Sequence, residues 1–259
     1  MVPVRVIPVL LLQDRGLVKT VRFAEPKYVG DPRNAVRIFN EKEVDELVLL
    51  DVGATPAGTP LQFDLVREIV SEAFMPVAYG GGIRTIEDAR RMLALGVEKI
   101  VLCSHAIEDP RFVREAADVL GSQSVVVCLD VKKGLLGGYE LMTHGGRKRA
   151  RLDPVRFARE VESLGAGEIV VNSIDRDGTR SGFDLELVRA VADAVRVPVI
   201  ACGGAGTVEH LGEAVREGGA SAVAAGSLFV FQGPHRAVLI SYPKPEALRR
   251  LFGPDGGRA

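Results

Sequence analysis

"MPVAYGGGIRTIEDARRMLALGVEKIVLCS" at 75–104 and "VPVIACGGAGTVEHLGEAVREGGASAVAAGS" at 197–227 are two copies of one plan. Each opens on an apolar β-like run, crosses a glycine-rich turn, continues with helical spacing and ends on a second apolar run closed by serine. Pro76 and Pro198 stand 122 positions apart (198 − 76), close to half of the 259 residues. "ELVLLD" (46–51) falls on "EIVVNS" (168–173) at the same offset, and "FDLVREI" (63–69) aligns loosely with "FDLELVRAV" (183–191). A repeat this long marks two half-molecules of several β/α units each, rather than a solenoid of short repeats.

The rest of the chain follows that rhythm. Runs rich in Val and Ile recur near residues 4–11, 46–51, 76–79, 98–102, 124–130, 168–172, 198–202 and 221–225. Amphipathic stretches fill the gaps; in "DPRNAVRIFNEKEV" (31–44), Ala35, Ile38 and Phe39 recur at helical spacing with charges elsewhere. Asp31-Pro32, Asp109-Pro110 and Asp153-Pro154 each read as an N-cap followed by proline in the first turn. Eight alternations without a Ser/Gly/Pro linker predict the α/β class: one closed (β/α)8 barrel over 1–259. Its half-barrels would span about 1–120 and 121–240, with a C-terminal helix or loose tail over about 241–259. A doubly wound open sheet is the runner-up, and it leaves the repeat unexplained.

Composition narrows the function classes. The formal net charge is −1, with 47% hydrophobic and 26% charged residues. That balance supports a large core and gives no bulk case for nucleic acid or an anionic membrane. No apolar run reaches the roughly 18 residues of a membrane span, and no signal peptide is apparent, so a cytoplasmic protein is expected. Cys103, Cys128 and Cys202 sit in or at the ends of apolar runs and read as buried reduced thiols. The histidines show no metal-ligand spacing; neither metal nor cofactor is expected.

In a parallel barrel, chemistry sits where strands exit at the C-terminal face. "YGGGIRT" (79–85) and "CGGAGT" (202–207) each follow a strand and precede a helix, placing Gly81, Gly82, Gly203, Gly204 and Gly206 there. Cys103-Ser104 and Gly226-Ser227 end the neighbouring strands. Glycine lets backbone N–H groups approach an anion, so two symmetric phosphate sites are expected; the plain alternative is that tight turns need glycine anyway. Asp51, Asp130, Asp175 and Asp177 fall at or just beyond strand ends, where a buried carboxylate can serve as acid or base. Asp130 ends an apolar run, where an unpaired charge is costly. Extending the repeat sets "VIPVLLLQDRG" (6–16) against "VVVCLDVKK" (125–133), so Leu11 faces Asp130 across the axis. His144, in "MTHGGRK" (142–148), is a catalytic or a solvated loop histidine. At the opposite ends of strands, Arg5, Glu46, Lys99 and Glu168 form a mixed charge ring, either a stabilising plug or a gate on an axial passage.

"GDP" (30–32), "DELVLLD" (45–51), "YGGGIR", "GSQSVVVCLD" (121–130), "THGGRK", "LGAGEIVVNSIDRDGT" (164–179), "VPVIACGGAG" and "EGGASAVAAGS" (217–227) closely resemble the HisF family, in near-continuous register to about residue 230. HisF is the cyclase barrel of imidazole glycerol phosphate synthase. The resemblance implies a HisH-like glutaminase partner at the N-terminal face, ammonia passing along the axis, and a bis-phosphorylated ligand at the other face. It maps the family's gate onto Arg5, Glu46, Lys99 and Glu168, its loop lysine onto Lys19, and its phosphate sites onto the glycines and serines above. Asp51, Asn172, Asp177 and Gly178 complete that face. The family's two catalytic acids fall on Asp130 and Leu11, so one is missing; its asparagine beside the first phosphate site falls on Cys103. The stretch at 10–47 and the tail "GSLFVFQGPHRAVLISYP" (226–243) resemble a branch that works with a glutaminase and an N-acetyl sugar amidotransferase in surface-polysaccharide synthesis. The implied function is ammonia delivery to that partner, with cyclase activity lost. The alternative is a true cyclase (a lyase) of histidine biosynthesis, with Asp14 as the nearest substitute acid.

Overall fold

The computed structural model describes residues 4–134, 137–233 and 235–253. Eight parallel strands form the barrel wall: β1 (Arg5–Gln13), β2 (Leu47–Asp51), β3 (Val77–Gly80), β4 (Lys99–Leu102), β5 (Val125–Lys133), β6 (Glu168–Ser173), β7 (Val199–Cys202) and β8 (Ala222–Ala225). They pair in chain order, β8 pairs with β1, and β5–β6 pairing completes the ring. The expected closed (β/α)8 barrel, a TIM barrel, is therefore the fold. All eight apolar runs became wall strands because a strand covered on both faces must be apolar at nearly every position. In β1, Val6, Leu10 and Leu12 pack outward under the helices, while Ile7, Val9 and Leu11 point into the axis.

The helices start where capping chemistry predicts. Asp31 accepts from the Asn34 N–H at 3.0 Å ahead of helix Pro32–Glu41, and Asp153 from the Arg156 N–H at 2.8 Å ahead of Pro154–Ser163. Asp109-Pro110 differs. Asp109 closes the short helix Ser104–Glu108, so Pro110 itself precedes helix Arg111–Leu120, one place outside the first turn.

Two antiparallel ribbons were not foreseen. Gly16–Val21 pairs back onto the end of β1 and carries Ala24–Gly30 beside it. Tyr139–Thr143 does the same on β5, with Lys148–Arg149 beyond. They occupy equivalent places in the two halves. The C-terminal stretch crosses to the other end of the barrel, where the Tyr242 hydroxyl donates to the Val6 carbonyl at 2.8 Å. Helix Pro245–Phe252 follows; residues 254–259 of the expected loose tail lie outside the described residues. Among the described residues, no helix is long and apolar enough to cross a membrane.

Candidate functional site at the barrel mouth

The C-terminal ends of the wall strands enclose a cavity of about 370 Å³. Leu11, Asp51, Gly81, Gly82, Cys103, Ser104, Asp130, Asn172, Asp177, Gly178, Gly203, Gly204, Gly226 and Ser227 line it, as does Lys19 from the first ribbon. The expected active-face residues thus converge, with Gly206 outside the lining set. Gly81 and Gly203 show why the loops need glycine. A Cβ on Gly81 would lie 2.2 Å from the Asp51 carbonyl oxygen; one on Gly203 would lie 2.7 Å from that of Ser173, the residue matching Asp51 in the repeat. Close backbone packing explains these two glycines without any ligand.

Asp130 sits on the cavity floor. Asn172 Nδ2 donates to its Oδ1 at 2.9 Å, Cys103 Sγ to its Oδ2 at 3.3 Å, and Cys128 Sγ lies 3.7 Å from Oδ1. Burial pushes its pKa up to about 6, against the pull of these donors. That is a suitable range for proton transfer near neutrality. Leu11 lines the same cavity among Val9, Val18 and Leu50, and offers no proton. Burial raises the Cys202 thiol to about 12; the hydrogen bond with Cys103, and then burial, raise Cys128; against its largest single influence, the bond with Cys128, Cys103 is raised by burial and the Asp130 carboxylate. Of the three expected buried thiols only Cys128 is buried; Cys103 and Cys202 are partly exposed where they line the cavity.

The other acids divide. Burial raises Asp177 in the cavity, against Lys19. Asp51 Oδ1 accepts from the Gly53 and Ala54 N–H groups, each at 3.0 Å, so this side chain holds its own loop. Asp175 accepts from the Lys133 N–H at 2.8 Å and does not line the cavity. Asp14, the substitute acid of the cyclase alternative, is exposed in the turn after β1 and is not brought to the cavity. His144 also lies off the lining; its Nδ1 is 3.1 Å from Thr143 Oγ1, and its N–H donates to Ser104 Oγ at 2.9 Å. Sequence reading overlooked Arg84, His105, Glu108 and Arg147 on the rim. Arg84 stood inside the quoted "YGGGIRT" and Arg147 inside "MTHGGRK", which were the available signals.

At the N-terminal end the four ring residues meet. Arg5 bonds Glu46 and reaches Glu168 at 2.6 Å; Lys99 Nζ lies 3.0 Å from Glu46 and 3.2 Å from Glu168. Burial works against the Arg5 charge, but the Glu168 and Glu46 carboxylates outweigh it and raise its pKa. Between ring and cavity the axis is filled by Ile7, Val48, Ala78, Val101, Val126, Val170, Ile200, Ala222 and Ala224.

The family model described as histidine biosynthesis protein matches residues 5–234. The chain is 54% identical over 243 residues to a Pseudomonas aeruginosa protein provisionally named imidazole glycerol phosphate synthase subunit hisF2, covering 94% of this chain and 97% of the relative. It is 49% identical over 249 residues to a Vibrio vulnificus protein provisionally named subunit hisF3, covering 96% of each chain. A Leptospira borgpetersenii protein provisionally named subunit HisF is 48% identical over 249 residues, 96% of this chain and 98% of its own. With the closed barrel, its paired glycine loops and these relatives in agreement, the chain belongs to the histidine biosynthesis protein family, as a HisF-type barrel.

Proposed function

We propose that this barrel is the ammonia-conducting subunit of a glutamine-dependent amidotransferase. It pairs through its N-terminal face with a HisH-like glutaminase and hands ammonia, at its C-terminal face, to an N-acetyl sugar amidotransferase of surface-polysaccharide synthesis. The observation that carries this reading is a four-residue charge ring and apolar axis beneath a mouth where Leu11 lines the cavity at the position at which the HisF resemblance expects a second acid. An apolar axis suits neutral ammonia, whereas an ammonium ion entering it would lose its hydration without a partner. The relatives' numerals two and three fit additional HisF-type subunits beside a first one.

The test is glutamine hydrolysis by a HisH-like glutaminase from the same source, with and without the barrel. Stimulation by the natural chain, and uncoupling of hydrolysis from ammonia delivery in Lys99→Met, are expected. No stimulation by the folded barrel would end this reading. Asp130 favours a second reading, a surviving cyclase, because its pKa of about 6 suits acid–base work. That reading needs a second acid; with Asp14 outside and Asp51 committed to its loop, Asp177 is the remaining cavity aspartate.

A further inference from the structure

Lys19 is only 6% exposed, yet its side chain lines the cavity. Its Nζ donates to the Val9 carbonyl at 3.1 Å. Among the described residues no ion pair closes on it, and Asp177 is the neighbouring charge. A Cβ on Gly226 would come within 1.7 Å of Nζ, so a larger residue there would push the amine from its present position. The ribbon carrying Lys19 is tied to the loop after β6, where the Arg22 N–H donates to the Asp177 carbonyl at 2.9 Å and Thr20 Oγ1 lies 3.4 Å from Asp177 Oδ2. The Lys19 amine is thus anchored on the Val9 carbonyl in a cavity open to small molecules, with the Asp177 carboxyl in the same cavity but outside ion-pair distance.

We propose that Lys19 captures carbonyl compounds: its Nζ condenses with the open-chain aldehyde or ketone of a sugar phosphate to form an imine. The nitrogen lone pair adds to the carbonyl carbon, and the C=O π electrons move to oxygen. A proton passes from nitrogen to that oxygen through Asp177. The hydroxyl then leaves as water, protonated by Asp177, as the nitrogen lone pair forms C=N; the iminium charge faces the resulting carboxylate. No oxidant or reductant is consumed. Burial lowers the Lys19 pKa and raises that of Asp177, which favours a free amine beside a proton donor. Arg84 and Arg147 on the rim supply positive charge for the phosphate end. A lysine that only pinned the ribbon to β1 through Val9 would be indifferent to a carbonyl.

The test incubates the full chain, without any partner, with ribose 5-phosphate or ribulose 5-phosphate and sodium cyanoborohydride, followed by intact mass measurement and peptide mapping. A single reduced adduct on Lys19 is expected, lost in Lys19→Arg and diminished in Asp177→Asn. Absence of adduct, or adducts spread over exposed Lys27, Lys42 and Lys133 with Lys19 unmodified, would overturn the proposal. The map on the natural chain decides this even if a variant fails to fold. Because no glutaminase is present, failure here leaves ammonia conduction standing, and failed glutaminase stimulation leaves this result untouched.

Discussion

Asp130 is the residue where fold and chemistry conflict most directly. Burial holds its pKa at about 6, above the ordinary 3.8. A carboxyl group raised on folding binds its proton more tightly in the native state. Its contribution is therefore most favourable below about pH 4 and is lost as pH rises through about 6. Asp130→Asn removes the ionisation and keeps an oxygen to accept from Asn172. Its melting temperature relative to the natural chain should climb between about pH 4 and pH 7 and then level off. A flat difference across that range would show that Asp130 is not held neutral. Leu11 is the converse case, an apolar side chain at a strand exit, costing nothing to bury and moving no proton.

At the scale of elements, the wall was readable and the ribbons were not. Every wall strand is largely buried on both faces and announces itself as a short apolar run, from the Leu-rich β1 to the Ala-rich β8. Ala24–Gly30 is exposed along most of its length and carries Pro26, which argues against a strand. It forms because Gly16–Val21 folds back antiparallel onto the end of β1 and presents an edge to it. The ribbon decides where Lys19 sits, so the active face was legible as a set of residues before it was legible as a geometry. Asp51 shows the same limit: its position marked it as a candidate acid, but only the structure shows its Oδ1 spent on two backbone N–H groups. Gly178 locks ribbon to loop. It has φ +70°, and a Cβ there would lie 2.2 Å from the Thr20 carbonyl oxygen. Gly178→Ala should cost about 1–3 kcal/mol through strain and displacement. Thermal unfolding would register the cost, and limited proteolysis should cut first within residues 16–30. An unchanged melting temperature and cleavage pattern would mean that the ribbon stands without this contact.

For the whole molecule, the barrel has two chemically distinct ends joined by an apolar axis. The ring at one end holds Glu46 almost fully enclosed, with Arg5 and Lys99 as its cations. Lys99→Met should destabilise the fold by about 2–4 kcal/mol, because removing one partner strands buried charge, with Arg5 softening the loss. Denaturant unfolding measures this; a change near zero would mean that water already screens the ring. At the other end, the central claim is that Leu11 stands where the HisF resemblance places a second catalytic acid, which separates the proposed ammonia conduit from a cyclase. The direct measurement gives the purified barrel the bis-phosphorylated cyclase substrate with saturating ammonium salt, beside a Leu11→Asp variant. The account predicts no turnover by the natural chain and a measurable rate in Leu11→Asp. Turnover by the natural chain at ordinary enzyme rates, about 1 s⁻¹ or faster, would contradict it and make this barrel a cyclase with a different pair of acids.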